Sequence, residues 1–332
     1  MILNDVWFVA IAILWIGYFL LEGFDFGVGI LLPVLARDDT ERRVMINTIG
    51  PLWDGNEVWL ITAAGATFAA FPEWYASLFS GFYIPMLVIL VALILRGLGF
   101  EYRAKHDSVL WRRRWDAALI AGSAVPAFLW GLVVANVVRG VPLGPGHHYV
   151  GTVWELLHPY ALLGGFMTFA IFVTHGAVFI ALKTKGSLRV RANRLAAGAG
   201  VGAAVLAVGF LAWTHFQKAS PVGGVLAALA VLAWLLGLAA NARRAEGWAF
   251  TGSATTIVLA VASLFVALYP DVLPSTVNPA YSLTVENASA TQKTLGVMTW
   301  VAVIFLPLVL LYQSWTYWVF RRRIGVSDIP AG

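Results

Sequence analysis

Four carboxylates stand in surroundings that are otherwise apolar. Glu22 and Asp25 lie in Leu21-Glu22-Gly23-Phe24-Asp25-Phe26-Gly27, and Asp54 and Glu57 in Trp53-Asp54-Gly55-Asn56-Glu57-Val58-Trp59. Each pair is spaced i and i+3, so on a helix its two members share a face. A carboxylate inside a membrane span costs about 2.5 to 3.5 kcal/mol on insertion scales, which makes such acids functional candidates by default. The chemistry they offer is proton transfer, because closely spaced carboxyls in a low-dielectric bundle hand protons along through waters. Asn56 and Thr62 could orient waters on such a path or satisfy helix backbone. Structural readings stand beside the functional one. Asp54 and Glu57 near a helix N-terminus also suit the macrodipole. Glu22 and Asp25 need a partner, a water channel or protonation, and Arg96, at the same end of the third apolar run, is the natural ion-pair partner.

Redox chemistry would need other residues, and there are few. The chain has no cysteine, which excludes disulfides, iron–sulfur clusters, thiolate-ligated haem and c-type haem attachment within it. Of six histidines only His175, in Thr174-His175-Gly176, falls well inside an apolar run. A lone intramembrane imidazole reads as a haem ligand, a proton-relay member or a hydrogen-bonded packing residue, and no second helix presents a ligand at its depth. Met45, Met86, Met167 and Met298 pair with no histidine and read as core.

Placing these groups requires helices that cross a bilayer. Hydrophobic residues make up 60% of the 332 and charged residues 12%, with a mean hydropathy of +0.80, against about 25% charged residues in soluble domains. The chain therefore reads as an all-α, polytopic integral membrane protein forming one membrane domain over residues 1–332. Apolar runs of about 20 residues, enough to span hydrocarbon, fall near 6–35, 52–71, 77–98, 115–138, 160–182, 194–213, 222–241, 249–268 and 295–319. That makes nine expected spans. The first is long enough to overrun the bilayer or tilt. No Lys or Arg precedes it, so it is expected to be retained rather than cleaved as a secretory signal.

All but Arg139, Lys218 and Lys293 of the 22 basic residues fall on one side of this arrangement. The positive-inside rule makes that side cytoplasmic, with the N-terminus outside and the C-terminus inside. The same asymmetry accounts for the net charge of +5 without a nucleic-acid partner. All four acids then sit toward the cytoplasmic leaflet. Residues 139–159 and 269–294 form long outer loops punctuated by Gly and Pro, read as connectors. Spans one to four and five to eight are expected to form two four-helix groups with the ninth peripheral. Gly23-x-x-x-Gly27 and Gly198-x-x-x-Gly202 mark candidate close helix contacts. Trp53, Trp74, Trp154, Trp300, Trp315 and Trp318 suit an interfacial belt, among which a quinone tail could also lie.

Three segments carry a resemblance. Glu22-Gly23-Phe24-Asp25-Phe26-Gly27, Trp53-Asp54-Gly55-Asn56-Glu57-Val58-Trp59 and Arg96-Gly97-x-x-Phe100-Glu101-Tyr102-Arg103 are similar to subunit II of cytochrome bd-type quinol oxidases, and His158-Pro159 and Thr174-His175-Gly176 fit the same pattern. The resemblance implies a heterodimer in a bacterial cytoplasmic membrane. In it a haem-bearing subunit I carries haems b and d and oxidises membrane quinol, ubiquinol or menaquinol, and oxygen is reduced to water without pumping. It implies that this chain binds no haem or metal, is inactive alone, and is the structural and proton-supplying half. Asp54 would form the mouth of the proton pathway, with Glu57, Asp25 and Glu22 behind it and Arg96, Glu101 and Arg103 as structural or charge partners. Some family members hold a structural quinone in this subunit, and small single-helix subunits associate with some. A proton-coupled secondary transporter is the alternative. Such proteins place acids at corresponding positions of two repeats, whereas here the acids cluster in the first two spans.

Overall fold

A backbone in hydrocarbon must satisfy its own N–H and C=O groups, so long apolar runs become helices. The computed structural model describes residues 3–329, and over that range eleven α-helices account for most of the chain. They are α1 (Leu3–Leu35), α2 (Asp39–Ile49), α3 (Trp53–Ala70), α4 (Pro72–Gly81), α5 (Tyr83–Tyr102), α6 (Val109–Arg139), α7 (Pro159–Lys183), α8 (Gly186–Gln217), α9 (Pro221–Ala242), α10 (Glu246–Leu268) and α11 (Gln292–Val319). Eight of them, all but α2, α3 and α4, are long and apolar enough to cross a membrane among the described residues.

The all-α membrane architecture agrees with the sequence reading, and the differences have local causes. The run expected at 52–71 is α3, whose 18 residues rise about 27 Å, just short of a hydrocarbon core of about 30 Å. Asp54, Asn56 and Glu57 also dilute its apolar character. The run expected at 77–98 is divided between α4 and α5, which meet at Phe82. The polar loop after the first run contains a further helix, α2, capped by the Asp38 side chain, which accepts from the Glu41 amide at 2.8 Å. As expected for the first run, α1 is overlong, with 33 residues and a rise of about 50 Å.

The spans group as two sets. In the first, α1 packs on α3 and α6, and α5 on α6; in the second, α7 packs on α8 and α10, and α9 on α8 and α10. The sets join where α1 and α6 meet α7. Peripheral α11 leans on α1 and α3, and Leu295 alone of its described residues is buried.

Contact between α1 and α7 depends on glycine. A Cβ on Gly27 would lie 2.0 Å from the Phe172 carbonyl oxygen, and one on Gly176 would lie 2.5 Å from the Gly27 Cα. Gly23 packs on the Phe172 ring in the same seam. The second small-residue pair expected to pack does not do so. Gly198 and Gly202 have nothing within 4 Å of a Cβ position, while Gly200 between them meets Leu238, because the packed face of α8 runs through 200 rather than through its flanking glycines. The tryptophans divide too. Trp154, Trp300, Trp315 and Trp318 are well exposed, but Trp74 is buried.

Both ends of the bundle are tied by polar contacts. At the basic end Asp39 of α2 meets Arg103 at 2.5 Å, Arg103 meets Asp116 of α6 at 2.5 Å, and Glu41 meets Arg191 of α8 at 2.6 Å. At the opposite end the two long loops pair through the ribbon β1 (Asp271–Leu273) and β2 (Leu283–Thr284) and a bridge between Val141 and Ser275. There His158 caps α7, accepting from the Ala161 amide at 3.3 Å while its Nε2 donates to Asn136 Oδ1 at 3.0 Å.

Two measurements probe this framework. Gly176→Ala is expected to destabilise the protein by about 1 to 3 kcal/mol through overpacking, whereas Gly198→Ala should change stability by less than about 0.5 kcal/mol; thermal unfolding in detergent, followed by tryptophan fluorescence, compares them. The second concerns acid. Burial opposes the Glu41 carboxylate, but hydrogen bonds from Arg191 and the Arg37 amide outweigh it and hold the carboxyl below the ordinary range. Burial and the Arg139 charge push His158 down to about 4. Both folded values lie below their unfolded ones, so both contributions are complete above the unfolded values, about 4.3 and 6.5, and vanish as pH falls through the folded ones. Hydrogen exchange corrected for intrinsic rates should therefore find the first turn of α7 loosening on acidification before α2 does; the reverse order would contradict this assignment.

Candidate proton-transfer site

Three helices converge on one guanidinium. Arg96 comes from α5, Glu22 and Asp25 from α1, and Glu57 from α3. Arg96 Nη1 lies 2.6 Å from Glu22 Oε2 and 3.1 Å from Glu57 Oε1, and Nη2 lies 4.0 Å from Asp25 Oδ2. The side chains of Arg96, Glu22 and Asp25 are completely buried, and that of Glu57 is 22% exposed. The guanidinium also faces the Phe26 ring at 4.7 Å and the Phe100 ring at 5.6 Å, where the negative faces of the rings favour a cation. Trp53 stacks on Phe100 at 4.8 Å and Gly122 lets α6 close over the Arg96 backbone.

A buried charge is tolerated only when paired, and removing one partner typically costs about 3 to 5 kcal/mol. Here the pairing is lopsided, because three carboxyls face one cation. Glu22 Oε1 and Asp25 Oδ1 have no hydrogen-bond partner, nor do Arg96 Nε and Nη2. Asp25 Oδ2 accepts from Asn56 Nδ2 at 2.7 Å. Asn56 Oδ1 in turn accepts from the Tyr317 hydroxyl at 2.7 Å and from Gln313 Nε2 at 3.4 Å, and Gln313 Oε1 accepts from Trp59 Nε1 at 2.8 Å.

The structure thus gathers Glu22, Asp25, Glu57 and Arg96, and separates from them other residues singled out in the sequence. Asp54, in the first turn of α3, is exposed on the outer flank and forms no ion pair among the described residues. Glu101 is likewise exposed and pairs with no described base, so the charge partnership expected of it is not found. Arg103 is a charge partner, but of Asp39 and Asp116. The Thr62 hydroxyl donates to the Val58 carbonyl, which is the backbone role. Sequence reasoning missed Gln313 and Tyr317. Their i, i+4 spacing at the basic end of an otherwise apolar ninth run was the available signal.

His175 does not fit an axial haem ligand. It is fully buried, Nδ1 meets the Ser253 hydroxyl at 2.7 Å and Nε2 meets the Leu20 carbonyl at 3.3 Å, so neither nitrogen has a free direction for iron. Phe250 stacks on it at 4.8 Å, the setting of a packing residue that joins α7, α10 and α1. An apolar cavity of about 60 Å³ lies among Trp15, Phe19, Trp74, Met86 and Trp130. Trp74 Nε1 is buried without a partner.

The chain resembles known proteins over its whole length. It is 40% identical over 331 residues to a cytochrome bd ubiquinol oxidase subunit 2 of Bacillus subtilis, covering 98% of each chain. It is 36% identical to the cytochrome bd-I ubiquinol oxidase subunit 2 of Escherichia coli, covering 99% of this chain and 97% of that one. Its fold matches a chain in the structure of the bd oxidase from Geobacillus thermodenitrificans with a TM-score of 0.78 at 16% identity, over 96% of this chain and 99% of that one. These likenesses disfavour the transporter reading. Residues 3–320 match the model of the cytochrome bd terminal oxidase subunit II family, and with the full-length relatives this establishes that the chain belongs to that family.

Proposed function

We propose that this chain, as a subunit of a bd-type quinol oxidase, supports a haem-bearing subunit I and supplies cytoplasmic protons for the reduction of oxygen to water. The observation that carries the reading is the buried cluster in which one guanidinium faces three carboxyls. Arg96 balances one carboxylate. Protons are the charges that make up the difference, held on the carboxyls whose outer oxygens have no partner. Exposure falls in order from Asp54 at the surface to Glu57, 22% exposed, and then to Glu22 and Asp25 at zero. Asp54 is the entrance in this reading, Glu57 the first inner acceptor, and Glu22 and Asp25 the store.

The basic end of the bundle faces the cytoplasm in this proposal, by the positive-inside rule. The N-terminus then lies outside, the C-terminus inside, in a bacterial cytoplasmic membrane. Subunit I docks on the flank that carries Asp54, where Val58, Ile61 and Phe68 of α3 continue outward at 46%, 71% and 59% exposure beside the lipid-facing α11. The haems b and d reside in subunit I, which supplies the electron transfer from quinol, and the chain alone is inactive. A structural quinone would rest part of its apolar tail in the cavity beside Trp74. A small single-helix subunit would bind the remaining lipid-facing surface.

Two substitutions in the assembled complex test this. Asp54→Asn should slow quinol-driven oxygen uptake about tenfold or more, the scale of a lost proton-transfer group, with the visible haem spectrum intact. Unchanged turnover would remove the entrance role, and a lost haem signal would make Asp54 an assembly residue. Arg96→Leu should reduce the yield of assembled complex severely, since it strands buried carboxyls at about 3 to 5 kcal/mol, while Arg96→Lys should recover part of it.

A further inference from the structure

Helix α11 is exposed along nearly its whole length, yet two of its polar side chains reach the carboxyl cluster. Tyr317 and Gln313 both donate to Asn56 Oδ1, at 2.7 and 3.4 Å, while the amide nitrogen of Asn56 donates to Asp25 at 2.7 Å. Asn56 is fully buried. Its amide has two orientations, and only one agrees with these neighbours. Turned over, its oxygen would face the Asp25 carboxyl oxygen and its NH2 would face the NH2 of Gln313, whose own oxygen already accepts from Trp59. Gln313 and Asp25 therefore select the orientation in which Asn56 donates to Asp25, and the Tyr317 hydroxyl, which can donate or accept, holds it with the shorter bond.

What holds α11 at the required depth is polar as well. Apolar helices gain no hydrophobic drive toward one another in lipid, so hydrogen bonds and close packing set their positions. At the outer end of α11, Trp7 Nε1 donates to the Leu295 carbonyl at 3.2 Å and to Thr299 Oγ1 at 3.1 Å. At the inner end Lys183 Nζ donates to the Phe320 carbonyl, and the Ile324 amide donates to the Lys183 carbonyl at 2.9 Å. Arg323 meets Glu246 at 3.3 Å and Lys185 meets Asp328 at 3.0 Å. The segment after α11 is thereby latched to the turn between α7 and α8 and to the start of α10.

We propose that Tyr317, seconded by Gln313, is a positioning residue for proton entry, acting through Asn56 on Asp25, with the latched segment 320–329 setting its depth. This inference rests on the proton-entry reading above. It assigns a task to a helix whose packing gives it none.

The test uses the assembled, haem-loaded complex and compares Asp25→Asn, Asn56→Leu, Tyr317→Phe and the Asn56→Leu/Tyr317→Phe pair. Loss of one hydrogen bond to the amide should lower kcat about three- to tenfold with KM for quinol unchanged. The pH profile of kcat should move in the same direction as in Asn56→Leu, and Tyr317→Phe should add no loss once Asn56 is Leu. Independent losses in the pair, or a lowered kcat with an unmoved pH profile, would make Tyr317 merely structural and overturn the proposal. Full activity of Tyr317→Phe with a slowed Asp25→Asn would overturn it while leaving proton entry standing, and a fully active Asp25→Asn would overturn both. If Tyr317→Phe does not assemble, Gln313→Leu takes its place in the same cycle, with a smaller expected loss of about twofold to match its longer bond.

Discussion

A guanidinium with no solvent exposure governs this structure. Arg96 on α5 is stable inside the bundle only because α1 and α3 bring carboxyls to it and Phe26 and Phe100 present their ring faces. Those carboxyls, in turn, are tolerated at that depth because the cation is there. Neither side of the pairing survives burial without the other, so the relative placement of three helices is tied to a single electrostatic contact. The excess of acid over base then follows as a chemical property of the fold. A cluster built purely for stability would be better served by one partner for each charge.

Convergence at Arg96 needs a helix that others can approach closely, and α1 is that helix. Gly17 admits the Trp59 ring of α3, Gly23 and Gly27 admit α7, and Gly29 admits Ser123 of α6. The acids at 22 and 25 therefore occupy one side of a helix whose other sides are surfaced with glycine. Lateral attraction between apolar helices is weak in lipid, so close backbone approach supplies the dispersion contacts that hold the two four-helix groups together, and it does so around the acids. The polar ties at the two ends, Asp39 and Glu41 at one and His158 at the other, anchor elements that the membrane itself would not restrain.

The all-helical membrane character, the absence of cysteine and the i, i+3 acids were legible in the sequence because each is a local property. Hydropathy over about 20 residues decides whether a segment crosses a bilayer, and a carboxyl within such a segment is conspicuous whatever surrounds it. Arg96 could be named as a partner for Glu22 and Asp25 because it was the cation available at the matching end of a neighbouring run. The amphipathic helix α2 and the break at Phe82 were not legible, since the first depends on ion pairs to residues far along the chain and the second on a one-residue interruption within apolar sequence.

The sequence by itself determined the class of the molecule and the i, i+3 pairing of its acids, because composition and spacing within single helices carry that information. Only the tertiary structure decided which acids share a cation. It turned Glu57 inward to Arg96 and left Asp54, three residues away, on the outer flank; it closed both nitrogens of His175 with Ser253 and Leu20; and it brought Gln313 and Tyr317 to Asn56 from more than 250 residues away. The physical reason is that a side chain's partners depend on helix rotation and on which helices touch. Those are set by glycine contacts and buried charge between segments distant in the chain, and no pattern within one segment records them.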